Sequence, residues 1–161
     1  MSNHPDRQII ATIEINADIQ AVWNAWTSVE GVLGFFAPDC SLDLQPGGKY
    51  EMYFDLSAEP GLRGGVGCRI IALQAPTMIS FTWNQPPSVP ALRAASQGTH
   101  VVIRLAQIDA RTTRVDLRQD GWGTGEDWDA AYRYFERVWQ QVVLPRLKRY
   151  LEIGPIDWEK S

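Results

Sequence analysis

The strongest constraint on the fold is a change of hydrophobic period near residue 125. Trp128, Ala131, Tyr132, Phe135, Val138, Trp139, Val142, Leu147 and Leu151 track one helical face through 126–152. At 1.5 Å per residue such a helix is about 40 Å long, enough to cross a whole sheet. Pro145 lies inside it, where a proline removes a hydrogen bond or bends the axis. From 40 to about 119 the apolar residues alternate instead. Tyr50, Met52 and Phe54 share one strand face, as do Ile79, Phe81 and Trp83. Val101, Ile103 and Leu105 form a third such set, and Thr113, Val115, Leu117 and Gln119 a fourth. Leu42 and Leu44 alternate in the same way, and a further strand near 66–73 has no settled facing. Short turns such as Pro46-Gly-Gly48 separate these runs, so the strands are expected in antiparallel hairpin order.

The N-terminal part supplies one more strand and two helices. Residues 8–15 place Ile9, Ala11, Ile13 and Ile15 on one face. Ile19, Val22, Trp23 and Trp26 then fall at helical spacing over 18–26. Thr27-Ser-Val-Glu30 reads as a capping box that opens a second helix over 28–36, which must end before Pro38. The 56–65 and 84–98 stretches read as loops. The chain has 161 residues and no repeat, linker or low-complexity tract, so a single domain over 7–158 is expected. A domain of this length builds its core without disulfide or metal. The expected class is α+β: a curved antiparallel sheet wrapped around a long C-terminal helix.

That order of elements resembles the helix-grip fold of the START-like (SRPBCC, Bet v 1-like) superfamily. Within it the chain is similar to the group of activator of Hsp90 ATPase homologue 1-like (AHSA1-like) domains. The resemblance rests on Ile13-Glu-Ile-Asn-Ala17, Val22-Trp-Asn-Ala-Trp-Thr27, Phe35-Phe-Ala-Pro38 and Pro46-Gly-Gly-Lys-Tyr-Glu51. Phe81-Thr-Trp83, Gly121-Trp122, Trp128 and Glu152-Ile-Gly-Pro155 extend it to nearly the whole chain. It implies a cavity between helix and sheet. It does not imply a reaction, since carriers, cyclases, sensors and co-chaperone domains share the superfamily. Gln119 stands where close relatives carry a His, so no acid–base role is carried over to it.

Charge narrows the partners. The formal net charge is −4 and no run of Lys or Arg occurs, which argues against nucleic acid as partner. The first residues contain no apolar stretch, and no window approaches the ~18 apolar residues of a membrane span. A cytoplasmic protein with no membrane partner is therefore the expectation. In a reducing compartment Cys40 and Cys68 are expected as thiols rather than a disulfide.

Catalytic signatures are weak. His4 lies in a tail, and His100 starts a strand on its outward parity. Neither has a visible nucleophile partner. No CxxC or HExxH spacing is present, so no metal and no cofactor is expected. Gly61-Leu-Arg-Gly-Gly-Val-Gly67 imitates a phosphate loop, but a strand follows it instead of a helix. Glu126, Asp127 and Asp129 at the start of the long helix are read as complements to its dipole.

The aromatic set is the remaining candidate. Phe81, Trp83, Trp122, Trp128, Tyr132, Phe135 and Trp139, with Met52 and Phe54, are expected to converge between helix and sheet. Tyr50, Thr113, Gln119 and Tyr132 would add the few polar groups that an apolar ligand site needs. Plain core packing explains the same residues equally well. Arg93, in the 84–98 loop, could meet an acidic ligand group or be a solvated charge. The expected function is binding of a small hydrophobic or aromatic molecule, lipid- or polyketide-like, without evident catalysis. A cyclase or aromatase using the same cavity, or a co-chaperone-like interaction module, is the alternative.

Overall fold

Alternating β-branched and aliphatic residues produce five paired strands. In this computed structural model, which describes residues 7–94 and 98–160, Ile9–Ile15 (β1) pairs with Thr112–Asp120 (β7). Thr99–Asp109 (β6), Met78–Trp83 (β5) and Ile70–Gln74 (β4) complete an antiparallel sheet of order β1-β7-β6-β5-β4. A bulge between Ile70 and Ala72 bends β4, the usual effect of an extra residue in one strand. Asp39–Leu42 (β2) and Tyr50–Tyr53 (β3) form a separate hairpin, and a bridge from Lys49 to Arg69 attaches it beyond β4.

Register confirms the inward parity. Ile103 lies opposite both Ile79 and Leu117, giving an apolar row across three strands. Thr113 and Gln119 are fully buried on the same face. Two expectations fail near β3 and β4. The strand expected from residue 66 starts only at Ile70, because Gly64 and Gly67 carry positive φ in the turn before it. Glu51, placed outward by alternation, is buried: the Tyr53 hydroxyl, the Gly67 N–H and the Arg69 guanidinium all donate to its carboxylate. Burial opposes its charge, yet those three donors hold its carboxyl below the ordinary range.

Ile19–Thr27 (α1) is capped by Asp18, whose carboxylate accepts the Ala21 N–H at 2.8 Å. Val29–Phe35 (α2) follows after a single residue. Its cap is Ser28, not Thr27: the Ser28 Oγ accepts the Gly31 N–H at 2.9 Å, while the Thr27 hydroxyl donates back to the Trp23 carbonyl. Thr27 still belongs to α1, so its helical dihedrals prevent it from capping the next helix. Ser28→Ala should therefore cost about 1 kcal/mol in urea unfolding. Thr27→Ala should cost less, and the reverse ranking would refute this cap. Gly34 lets α2 approach the terminal helix, since a Cβ there would lie 2.3 Å from the Tyr150 ring.

The terminal helix is continuous but not uniform. Glu126–Val138 (α4) passes through a π segment, Trp139–Val143, into Leu144–Glu152 (α5). Pro145 was expected to kink the helix or to remove a hydrogen bond. It sits in the first turn after the π segment, where the chain is already widened and the Leu144 N–H reaches the Trp139 carbonyl. The stretch read as loop at 84–98 also holds a short helix, Pro90–Ala94 (α3), opened by proline at a position that needs no N–H donor.

β1 is an edge strand, and the terminal helix covers its open edge. Tyr132, Gln140 and Lys148 lie eight residues apart and donate to the carbonyls of Gln8, Ile10 and Glu14. These bonds satisfy edge groups that would otherwise invite pairing with another chain. No described helix is long and apolar enough to cross a membrane.

Candidate functional site

Two aromatic clusters form between helix and sheet, and one of them forms the floor of an open space. Near the start of α4, Trp122 packs against Trp128, Tyr132 and Phe135 at ring distances of 6.2, 5.1 and 6.2 Å. Of that cluster only Phe135 also lines the open space. The second is centred on Phe36, which meets Trp26 at 5.5 Å, Trp83 at 5.7 Å and Trp139 at 5.9 Å. Beside it a cavity of about 410 Å³ opens to solvent. Trp83 and Trp139 form its floor, with rings 5.7 Å apart. Tyr134, Phe135, Val138 and Val142 on the helix form one wall. The turns carrying Leu62, Arg63 and Gly64 and carrying Pro86 and Pro87 form the other.

Of the residues expected at the site, Phe54, Trp83, Phe135 and Trp139 line this cavity. Tyr50, Met52, Phe81, Thr113, Gln119, Trp122, Trp128 and Tyr132 do not line it. Each polar member has a partner inside the fold. The Tyr50 hydroxyl donates to the Trp26 carbonyl at 2.7 Å, and the Thr113 hydroxyl to the Ala17 carbonyl at 2.8 Å. The Gln119 amide donates to Thr99 Oγ1, while its oxygen accepts the Trp139 indole N–H, both at 2.8 Å. Tyr132 faces the β1 edge with Arg7 stacked on its ring at 4.2 Å. Tyr50, Met52 and Phe81 are fully buried core, with the Tyr50 and Phe81 rings 4.5 Å apart. Phe54 was expected to face inward but is 44% exposed, because β3 ends at Tyr53 and the chain turns outward there.

Sequence reasoning missed Phe36, Tyr134, Val142 and Arg146 at the cavity. The signal was weak but present: Tyr134, Val138, Val142 and Arg146 recur at every fourth residue, flanking the core stripe of the same helix. Three of the lining residues, Trp139, Val142 and Val143, belong to the π segment, so the helical irregularity lies directly on the cavity.

Arg93 is not a solvated charge. Its guanidinium donates to the carbonyls of Gln85 and Gly64, each at 2.6 Å, tying the two turns of the outer wall together. Asn84 reaches the same Gly64 carbonyl at 2.6 Å. Gly64 has φ +146°, and a Cβ there would lie 2.5 Å from the Phe54 ring, so glycine is required at this corner.

Nucleophile chemistry finds little support in these surroundings. The Cys68 thiol is buried, and burial pushes it up to about 12, so it stays protonated. Cys40, pushed up to about 11 by burial and Asp39, is a free thiol like Cys68. His100 pairs with Asp120 at 3.4 Å on the exposed sheet face, and His4 lies outside the described residues. Among the described residues no three His, Cys, Asp or Glu gather as metal ligands.

Comparison with known proteins places this geometry. The family described as activator of Hsp90 ATPase homolog 1-like protein matches residues 16–152. A crystal structure of a protein from Mesorhizobium loti superposes with a TM-score of 0.71 at 18% identity, covering 93% of this chain and 100% of the other. The Aha1 dimer from Colwellia psychrerythraea gives 0.69 at 21% identity, with 92% and 98% covered. An HSP90 activator from Plasmodium falciparum gives 0.65 at 14% identity, with 92% and 97% covered. No curated protein matches the sequence.

Proposed function

The chain belongs to the activator of Hsp90 ATPase homolog 1-like family, and we propose that it holds a small hydrophobic or aromatic molecule between helix and sheet. The observation that carries this reading is the aromatic-floored cavity of about 410 Å³, which lies within the range of small-molecule sites. Its floor is made rigid from below. The Gln119–Trp139 hydrogen bond sets the angle of one indole, and Phe36 stacks on the other. A preformed floor lowers the ordering cost of binding.

A cyclase or aromatase reading finds less support. Such a reaction would need Tyr132, Gln119 or an acidic residue to move protons. Tyr132 and Gln119 are hydrogen-bonded within the fold, and the one carboxylate at the cavity among the described residues, Asp55, accepts both donors of Ser57. A co-chaperone role has one specific observation in its favour: two of the similar structures are named as Aha1 or as an HSP90 activator. Direct titration against an Hsp90 chaperone would register that role.

N-phenyl-1-naphthylamine, a neutral fluorescent probe, should bind and gain fluorescence. Val142→Trp places an indole in the cavity from the partly exposed helix wall and should weaken the probe at least tenfold without lowering Tm appreciably. Unchanged affinity in that variant would remove the cavity from the reading.

A further inference from the structure

The cavity carries charge of one sign on a protein of the other. The chain has a formal net charge of −4, yet Arg63, Arg93 and Arg146 line the cavity against a single carboxylate, Asp55. Among the described residues no Lys, His or Glu lines it. Elsewhere the described basic residues commonly find acids, as in Arg7–Asp129 at 2.8 Å, Arg118–Asp116 at 3.0 Å and Lys148–Glu152 at 2.8 Å. The three cavity arginines take part in no ion pair among the described residues.

Their neutral partners hold them without cancelling their charge. Arg93 is fixed by two backbone carbonyls, and the Arg63 Nε donates to the Ala58 carbonyl at 3.0 Å. Arg146 lies over the Trp158 ring, 5.2 Å from its centre. Each retains N–H groups not used by these contacts, since a guanidinium carries five. Asp55 is engaged as well: Ser57 donates to one of its oxygens through both its N–H and its hydroxyl. One engaged carboxylate cannot neutralise three guanidiniums.

We propose that the ligand is an amphipathic acid. Its apolar body lies on Trp83, Phe135 and Trp139, and its carboxylate meets the arginines at the cavity rim. A guanidinium fork matches a carboxylate, and low-dielectric walls on one side strengthen that contact relative to open water. This inference rests on the cavity being the binding site and adds the charge class of what it takes.

Decanoate, decanol and decylammonium, titrated calorimetrically below their aggregation thresholds, share one apolar chain and differ in head charge. Decanoate should bind about tenfold tighter than decanol, and decylammonium weakest. The preference should shrink as salt is raised, because the rim is in contact with solvent. Arg63→Gln with Arg146→Gln should abolish the preference, bringing decanoate to the level of decanol measured in the same variant. Those two side chains are chosen because Arg93 also ties the wall together. Equal binding of decanoate and decanol by the unaltered protein would overturn the charge preference and leave the binding site standing. A retained preference in the double variant would likewise overturn it. Failure of all three to bind would overturn both.

Discussion

Trp139→Ala should lower stability by about 5 kcal/mol. Removing a buried indole costs roughly 3–5 kcal/mol through lost transfer energy and the void left behind. Trp139 is 1% exposed and touches both Phe36 and Trp83, so few neighbours are free to collapse into that void. A second loss follows from the hydrogen bond. The Gln119 oxygen would keep no donor in a fully buried site, which costs about 1–3 kcal/mol. For a chain of this size the sum corresponds to a fall in Tm of roughly 10–20 °C. Trp139→Phe keeps one ring while removing the donor and part of the indole volume, so it should cost less than Trp139→Ala. In the Trp139→Ala background, Gln119→Leu should cost less than it does alone, since its acceptor is already unpaired. Strict additivity of the two substitutions would show that the pair is not coupled.

Alkaline pH should destabilise the protein through buried thiol and phenol groups. Burial is the principal cause in both cases: it pushes Cys68 up to about 12 and Tyr50 well above the usual phenol range. A raised native pKa means that the folded state holds its proton more tightly than the unfolded chain. The stabilisation is complete below the unfolded values, near 9 for the thiol and 10 for the phenol, and is lost as pH rises through the folded ones. Urea midpoints measured with reductant between about pH 8 and pH 11 should therefore fall, by on the order of a few kcal/mol in stability. Cys68→Ala should flatten the first part of that decline. Tyr50→Phe should flatten the later part, while costing about 1 kcal/mol at neutral pH for its bond to the Trp26 carbonyl. A decline of the same slope in both variants would assign it to other groups.

Much of the architecture was legible in the sequence, for a specific reason. Periods of 2 and 3.6 report which face of an element is buried, and Ile79, Ile103 and Leu117 meet in one row as their alternation requires. The long terminal helix followed from the same logic. The cap of α2 was misassigned by one residue, because Thr27 and Ser28 carry the same chemistry and only the backbone dihedrals choose between them. The turn from β3 into the Phe54 lip was equally invisible, since alternation does not say where a strand stops.

The site was legible only in part. The sequence alone determined that large aromatic residues from helix and sheet would meet, and that Tyr50, Thr113 and Gln119 would point inward with them. Tertiary structure decided which of those groups were spent within the fold. Gln119 found Thr99 and Trp139, Tyr50 found a carbonyl of α1, and Tyr132 was drawn to the open edge of β1. Burial is a property of one residue and its period, so one strand reveals it. Hydrogen-bond satisfaction depends on pairs far apart in the chain, such as Thr113 with Ala17 across 96 residues, and no local pattern records it. The gathering of Arg63, Arg93 and Arg146 around one space is of the same kind. Each arginine is an unremarkable surface charge in its own segment, and only the packing of two turns against the π segment places all three at one cavity.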